Sequence, residues 1–127
     1  ANYRLKKYDK ARTYAERALA YRPNWGKPYL LIGDLYASSG PLCGTGTGFK
    51  SQVVTWVAID MWKKAKEIDA DPFIQKKAQA QISKYTQYMP TSEDLHVRKL
   101  KEGQTYTVPC WIQRKTIVRA YNQYKKP

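Results

Sequence analysis

Histidine is nearly absent from this chain of 127 residues; His96 stands alone. The two cysteines, Cys43 and Cys110, lie far apart and neither has a Cys-x-x-Cys partner. One histidine and two isolated cysteines do not complete a zinc set, so no metal and no cofactor is expected. Nucleophilic catalysis needs a base beside the nucleophile, and His96 lies in a polar connector, SEDLHVRK, where a surface or capping role is the plainer reading. The cysteines leave two options open: one disulfide in an extracytoplasmic setting, or two buried free thiols. Long apolar runs are missing as well. The most apolar stretch, Val53 to Trp62, is interrupted by Thr55 and Asp60 and closed by Lys63. It falls well short of the roughly 18 apolar residues that span a bilayer. No signal-peptide pattern is seen, since Ala1 opens onto Arg4, Lys6 and Lys7.

Acidic residues are scarce too. Ten of them face 23 lysines and arginines, for a formal charge of +13. Such a balance suits a nucleic acid, an anionic membrane or an acidic protein as partner. Residues 95–127 hold eight of the basic side chains and one acidic one, so the end of the chain is its most basic part. Two pairs of carboxylates, Asp69 with Asp71 and Glu93 with Asp94, stand at positions where they cap helices rather than drive acid–base chemistry.

Alanines and aromatics are present in a pattern. Ala11, Ala15 and Ala18 are spaced by 4 and 3 and share one helix face in a segment over 8–23, which Pro23 closes. Ala58, Trp62 and Ala65 repeat that spacing in a segment over 57–72, at a constant offset of 47 residues. Between them 24–39 reads as a helix with Asn24 as N-cap, and Tyr29, Ile32, Gly33 and Tyr36 on one face. A glycine inside a helix costs about 1 kcal/mol against alanine, so Gly33 predicts the close approach of another backbone. A further amphipathic helix is predicted over 72–89, with Ile74, Ala78, Ile82 and Tyr85 on its face and Asp69 or Asp71 as cap. From Gly103 the period changes. Tyr106–Val108 and Thr116–Val118 read as two short strands within 103–119, with Pro109 at a bulge or edge.

The order Tyr29, Ile32–Gly33, Tyr36, then Ala58, Trp62, Ala65 and Pro72 resembles the tetratricopeptide repeat, a helix pair of about 34 residues. Ala11, Ala15, Ala18 and Pro23 fit the second helix of a preceding repeat. The resemblance implies a mainly α fold: an antiparallel helix-pair solenoid over 1–90 that starts within a repeat, followed by a basic tail, 91–127, with a β-hairpin. A preceding helix would then be missing, which leaves Tyr8, Tyr14 and Ala15 without cover. The 47-residue offset exceeds the family period, and the excess falls on a glycine-rich loop, Gly40–Ser51. That loop reads GTGTGFKS near its end. It departs from a phosphate-binding loop because Phe49 stands where glycine must precede the lysine and because a helix, not a strand, comes first. Gly44, Gly46 and Gly48 could offer backbone N–H groups to an anion; a flexible insertion is the plainer reading.

The resemblance implies a non-catalytic scaffold that binds a peptide or protein, with Lys27, Leu30, Asp34, Ala37 and Ser38 facing the partner and Lys76, Gln79 and Ser83 joining from the next helix. Leu30 and Asp34 depart from the subclass that grips a terminal carboxylate. The segment LKEGQTYTVPCWIQRKTIVR is similar to the tails of some bacterial cell-envelope repeat proteins, which implies the periplasm or cell envelope rather than the cytoplasm. The rival reading is nucleic-acid binding. Trp111, Tyr106, Tyr121 and Tyr124 interleave with basic residues in the tail, and Arg114, Lys115 and Arg119 would meet an anionic partner.

Overall fold

The structure, a computed structural model, describes residues 2–44 and 48–121. It is mainly helical, with one small antiparallel sheet. Four longer helices come first in importance: α1 (Asn2–Tyr21), α2 (Gly26–Ser38), α5 (Val54–Ile68) and α6 (Pro72–Thr86). Two single turns, α3 (Gly40–Cys43) and α4 (Phe49–Gln52), lie between α2 and α5. After α6 come α7 (Ser92–Val97), β1 (Thr105–Val108) and β2 (Arg114–Ile117).

The packing pairs fix the directions of the helices. Gly26 lies against Asp69, Gly33 against Trp62 and Gly40 against Val54, so α2 and α5 run antiparallel. Trp62 meets Tyr85 while Lys66 meets Gln79, so α5 and α6 are antiparallel as well. Arg12 reaches Tyr36 near one end of the α1–α2 pair, and Arg22 stacks on Trp25 at the other. Helices α2 and α6 lie side by side in the same direction, joined by Gln81 Nε2 donating to Asp34 Oδ1 at 3.0 Å.

Helix α5 is the centre of the molecule. Residues Val54 to Ile59, with Met61, Trp62 and Ala65, are all buried, as expected of a helix covered on nearly every side. The predicted stripe of Ala58, Trp62 and Ala65 is fully buried. Gly33 has the close neighbour its position demands, although that neighbour is a side chain and not a backbone. A Cβ there would stand 2.6 Å from Trp62 Cδ1 and closer still to Nε1. The indole N–H then donates to Asp34 Oδ1 at 3.2 Å.

Several boundaries differ from those read in the sequence. Helix α1 starts at Asn2 rather than near Tyr8. Asn24 does not cap α2; Trp25 holds the N-cap position without a side-chain bond. The cap comes from another helix, as Gly26 N–H donates to Asp69 Oδ2 at 2.7 Å. A side chain at Gly26 would meet Ile74 Cγ2 at 2.7 Å and Asp69 Cβ at 2.9 Å, so only glycine lets the start of α2 come this close. Asp71 caps α6 by accepting from Phe73 N–H at 2.9 Å. Part of the glycine-rich insertion is helical, as α3 and α4; Gly46 and Tyr124 lie outside the described residues. His96 sits in α7, not in a connector, and a capping box between Thr91 and Asp94 starts that helix.

Residues 91–121 are not a loose tail. Val108, Ile112 and Val118 are buried in the same apolar cluster as α2, α5 and α6. The strands pair Thr105 with Ile117 through Val108 with Arg114, close to the predicted positions. The five-residue connection between them carries Cys110 and Gln113 at positive φ, 70° and 47°, and Cys110 is joined to Cys43 by a disulfide. Trp111 projects from this turn onto the helices. Its Nε1 donates to Ser39 Oγ at 2.8 Å, and its ring lies 5.5 Å from Tyr36 and 5.9 Å from Tyr8. Arg12 covers the other side, 4.7 Å above the indole, and donates to the Ile112 carbonyl at 2.8 Å. Contrary to expectation, Ala15 is buried and Tyr8 is half-buried beside Trp111; Tyr14 is the member of that set left exposed.

The Asp69 cap has a pH signature. Its carboxyl is held below the usual 3.8, chiefly by the Gly26 N–H, then by Asp71 N–H and the charge of Arg22, against an opposing desolvation. A pKa lowered by folding adds stability above the unfolded value and loses it as the pH falls through the folded one. Asp69→Asn should lower the urea midpoint at pH 7 and converge with the parent over the acid range below the ordinary carboxyl value of 3.8. A gap of constant size across that range, or no gap at pH 7, would contradict the cap.

Candidate interaction site

The α5–α6 pair leaves an open cleft of about 600 Å³ on the side away from α2. Its floor is Ile59 from α5, Ile82 from α6 and Met89 beyond α6. One wall is built from Lys63, Lys66 and Glu67, which the helical repeat places on one face of α5. The other is built from Gln75, Gln79 and Thr86 of α6. Lys66 Nζ donates to Gln79 Oε1 at 2.6 Å, and Gln79 Nε2 donates to Ser83 Oγ at 3.1 Å, so the polar rim is ordered before any ligand arrives. Gln75 Nε2 donates to the Asp69 carbonyl at 2.6 Å and fixes the end of the cleft.

Arg119 reaches the cleft from the segment after β2. Its guanidinium pairs with Asp60 at 2.8 Å and donates to the Trp56 carbonyl at 3.1 Å and to Thr116 Oγ1 at 2.8 Å. Thr116 in turn donates to Asp60, and Trp56 Nε1 donates to the Arg119 carbonyl at 2.9 Å. The hairpin is pinned to α5 by this network. A smaller recess, about 270 Å³, opens between Ala37, Gly40 and Pro41 on one side and Tyr85 and Tyr88 on the other.

The partner-facing residues expected from sequence divide into three groups. Lys27, Ser38, Lys76, Gln79 and Ser83 are exposed, and of these Gln79 lines the α5–α6 cleft. Leu30 is a correction: it is 7% exposed and belongs to the core. Asp34 is a second correction, because its carboxylate is occupied internally by Trp62 and Gln81. The α2 and α6 sets do not share one surface. Gln79 and Gln81 stand about 200° apart on α6, and it is Gln81 that faces α2. Ala37 lines the smaller recess instead. Of the three tail cations, Lys115 is exposed, Arg114 is half-buried against Met61 Sδ at 3.8 Å, and Arg119 is consumed by Asp60. Trp111 is likewise engaged with the helices rather than available to stack on a base. Lys63, Lys66 and Met89 were not marked by sequence. Lys63 and Lys66 follow Ile59 at helical spacing, a usable signal, whereas Met89 reaches the floor through a turn that no local pattern encodes.

No protein-family model, curated protein or solved structure matches this chain.

The disulfide closes a separation of 67 residues. By loop entropy alone, opening it removes about 4 kcal/mol. Cys43→Ser/Cys110→Ser should lower the unfolding free energy in urea by about that amount, and reduction of the parent should reproduce the loss. Equal stability of the parent and the double variant under oxidising conditions would argue that the two sulfurs are not joined.

Proposed function

We propose that the chain is a non-catalytic interaction module: a short tetratricopeptide-like array that takes an acidic segment of a partner protein in the α5–α6 cleft. The array reading is supported by the antiparallel succession α1, α2, α5, α6, by the burial of Ala58, Trp62 and Ala65, and by the seat that Gly33 gives Trp62. Asp34 and Gln81, whose side chains bond, are 47 residues apart, the same offset that relates the two alanine-rich helices in sequence. The hairpin, packed on α5, is then the device that closes one side of the array.

One observation carries the docking role. In the α5–α6 cleft the nearly buried apolar floor of Ile59, Ile82 and Met89 lies under a rim of two lysines, Lys63 and Lys66, against the single carboxylate of Glu67, while Arg119 at its edge is already paired with Asp60. The volume lies within the range of about 300–1,000 Å³ typical of ligand sites. A groove between two antiparallel helices fits an amphipathic helix laid along it, with apolar anchors on the floor and acidic residues at the rim. Rim charges of this sort govern encounter rate and partner choice. Nucleic-acid binding through the C-terminal segment is less well supported, since Trp111 and Arg119 are both engaged within the fold.

A fluorescein-labelled panel of amphipathic helical peptides, acidic, neutral and basic, titrated with the protein by fluorescence anisotropy tests the reading. The acidic members should bind most tightly. Lys63→Glu/Lys66→Glu should raise their Kd by at least about tenfold while circular dichroism stays unchanged. Equal binding of acidic and basic peptides, or a charge-reversed variant as good as the parent, would remove the cleft from the account.

A further inference from the structure

Helix α1 carries a second, separate surface. Lys6, Lys10, Tyr14, Arg17 and Tyr21 are all exposed, Tyr14 at 58% and Tyr21 at 89%. With about 3.6 residues per turn they fall within about 80° of arc, in a stripe that runs about 22 Å along the helix. Lys6 and Lys10 begin it, Tyr14, Arg17 and Tyr21 follow, and the Arg17 guanidinium lies 5.7 Å from the centre of the Tyr14 ring. The two acidic residues of α1 fall outside the stripe: Asp9 pairs with Arg12 at 3.2 Å, and Glu16 lies toward the opposite side of the helix.

We infer that this face of α1 docks on an anionic lipid bilayer, with Lys6, Lys10 and Arg17 against the headgroups and Tyr14 and Tyr21 at headgroup depth. The complementarity is between three cations without an intervening acid and a continuous sheet of negative charge. Tyrosine, with an apolar ring and a polar tip, is a side chain of the membrane–water interface. The stripe is convex, being the outside of a single helix, so it fits a flat surface. A single-stranded nucleic acid is held instead in a positively charged groove, which this face does not form. The Cys43–Cys110 disulfide is a mark of oxidising compartments, outside the cytosol and nucleus where nucleic acids are held. No helix among the described residues is long and apolar enough to cross a membrane, so α1 would lie on the surface. This proposal does not depend on the peptide cleft, which involves other residues.

Sedimentation of the full chain with vesicles of phosphatidylglycerol and phosphatidylcholine, against vesicles of phosphatidylcholine alone, supplies the test. The protein should pellet with the anionic vesicles, and less so as salt rises. Lys10→Gln/Arg17→Gln should weaken the partition by about 25-fold. Tyr14→Ser/Tyr21→Ser should weaken it with no change of charge. The matched control is Lys63→Gln/Lys66→Gln, which removes the same two charges from the cleft and should bind vesicles within about twofold to threefold of the parent. Equal losses from the two lysine–arginine and lysine–lysine variants would show that net charge alone is read and overturn the assignment. Full retention by the tyrosine variant would overturn it too, as would single-stranded oligonucleotide binding that depends on the same α1 residues and excludes the vesicles.

Discussion

The fold depends on one contact, the seating of the Trp62 indole on Gly33. A helix pair can approach this closely only where one partner has no side chain, and α2 has none at that point. The indole is then fully buried and its N–H must find an acceptor. Asp34, the next residue along α2, supplies the carboxylate and uses it a second time for Gln81 of α6. Three helices are thus tied at adjacent positions of α2, and the register of α5 on both of its neighbours follows. The Gly26–Asp69 contact at the far end of the same seam repeats the logic: a glycine permits the approach, and a carboxylate accepts the N–H that the approach exposes.

A second set of contacts explains how so basic a chain holds a C-terminal segment against its helices. Cations there serve as structural ties. Arg12 lies over Trp111 and Tyr36 and bonds the Ile112 carbonyl. Arg119 gathers Asp60, Thr116 and the Trp56 carbonyl into one network. Arg98 stands 4.3 Å over the ring of Phe49, which packs edge-on against Trp56 and Tyr106. Planar guanidinium groups suit both roles, stacking on a ring and forking to carbonyls. The surplus of positive charge is therefore divided. Part of it is spent inside the fold, and part remains on the α5 wall of the cleft and along α1.

Much of the helical core was legible in the sequence because it rests on local periodicity. The 4-and-3 spacing of Ala58, Trp62 and Ala65 places them on one face whatever lies opposite, and all three are buried. Gly33 was legible as a close approach, but not as the seat of an indole, since a helix pattern does not say which neighbour arrives. Asp34 and Leu30 were misassigned to a binding surface for a related reason. Their fate was settled by Trp62, Gln81 and the core, at sequence separations that no spacing rule covers. The C-terminal strands were visible as β-branched runs, yet their docking was not, because Trp111, Ile112 and Arg119 act across 60 to 100 positions of sequence. The charge count located cations without telling which were spent internally.

Proton NMR on the oxidised protein addresses the central contact without altering it. The Hδ1 and Hε1 protons of Trp62 should give strong nuclear Overhauser cross-peaks to the α-protons of Gly33, alongside weaker ones to the side chain of Tyr85. Their absence, with Trp62 Hε1 exchanging freely with solvent, would mean that α2 and α5 do not meet as described, and the arrangement of the helices would have to be redrawn.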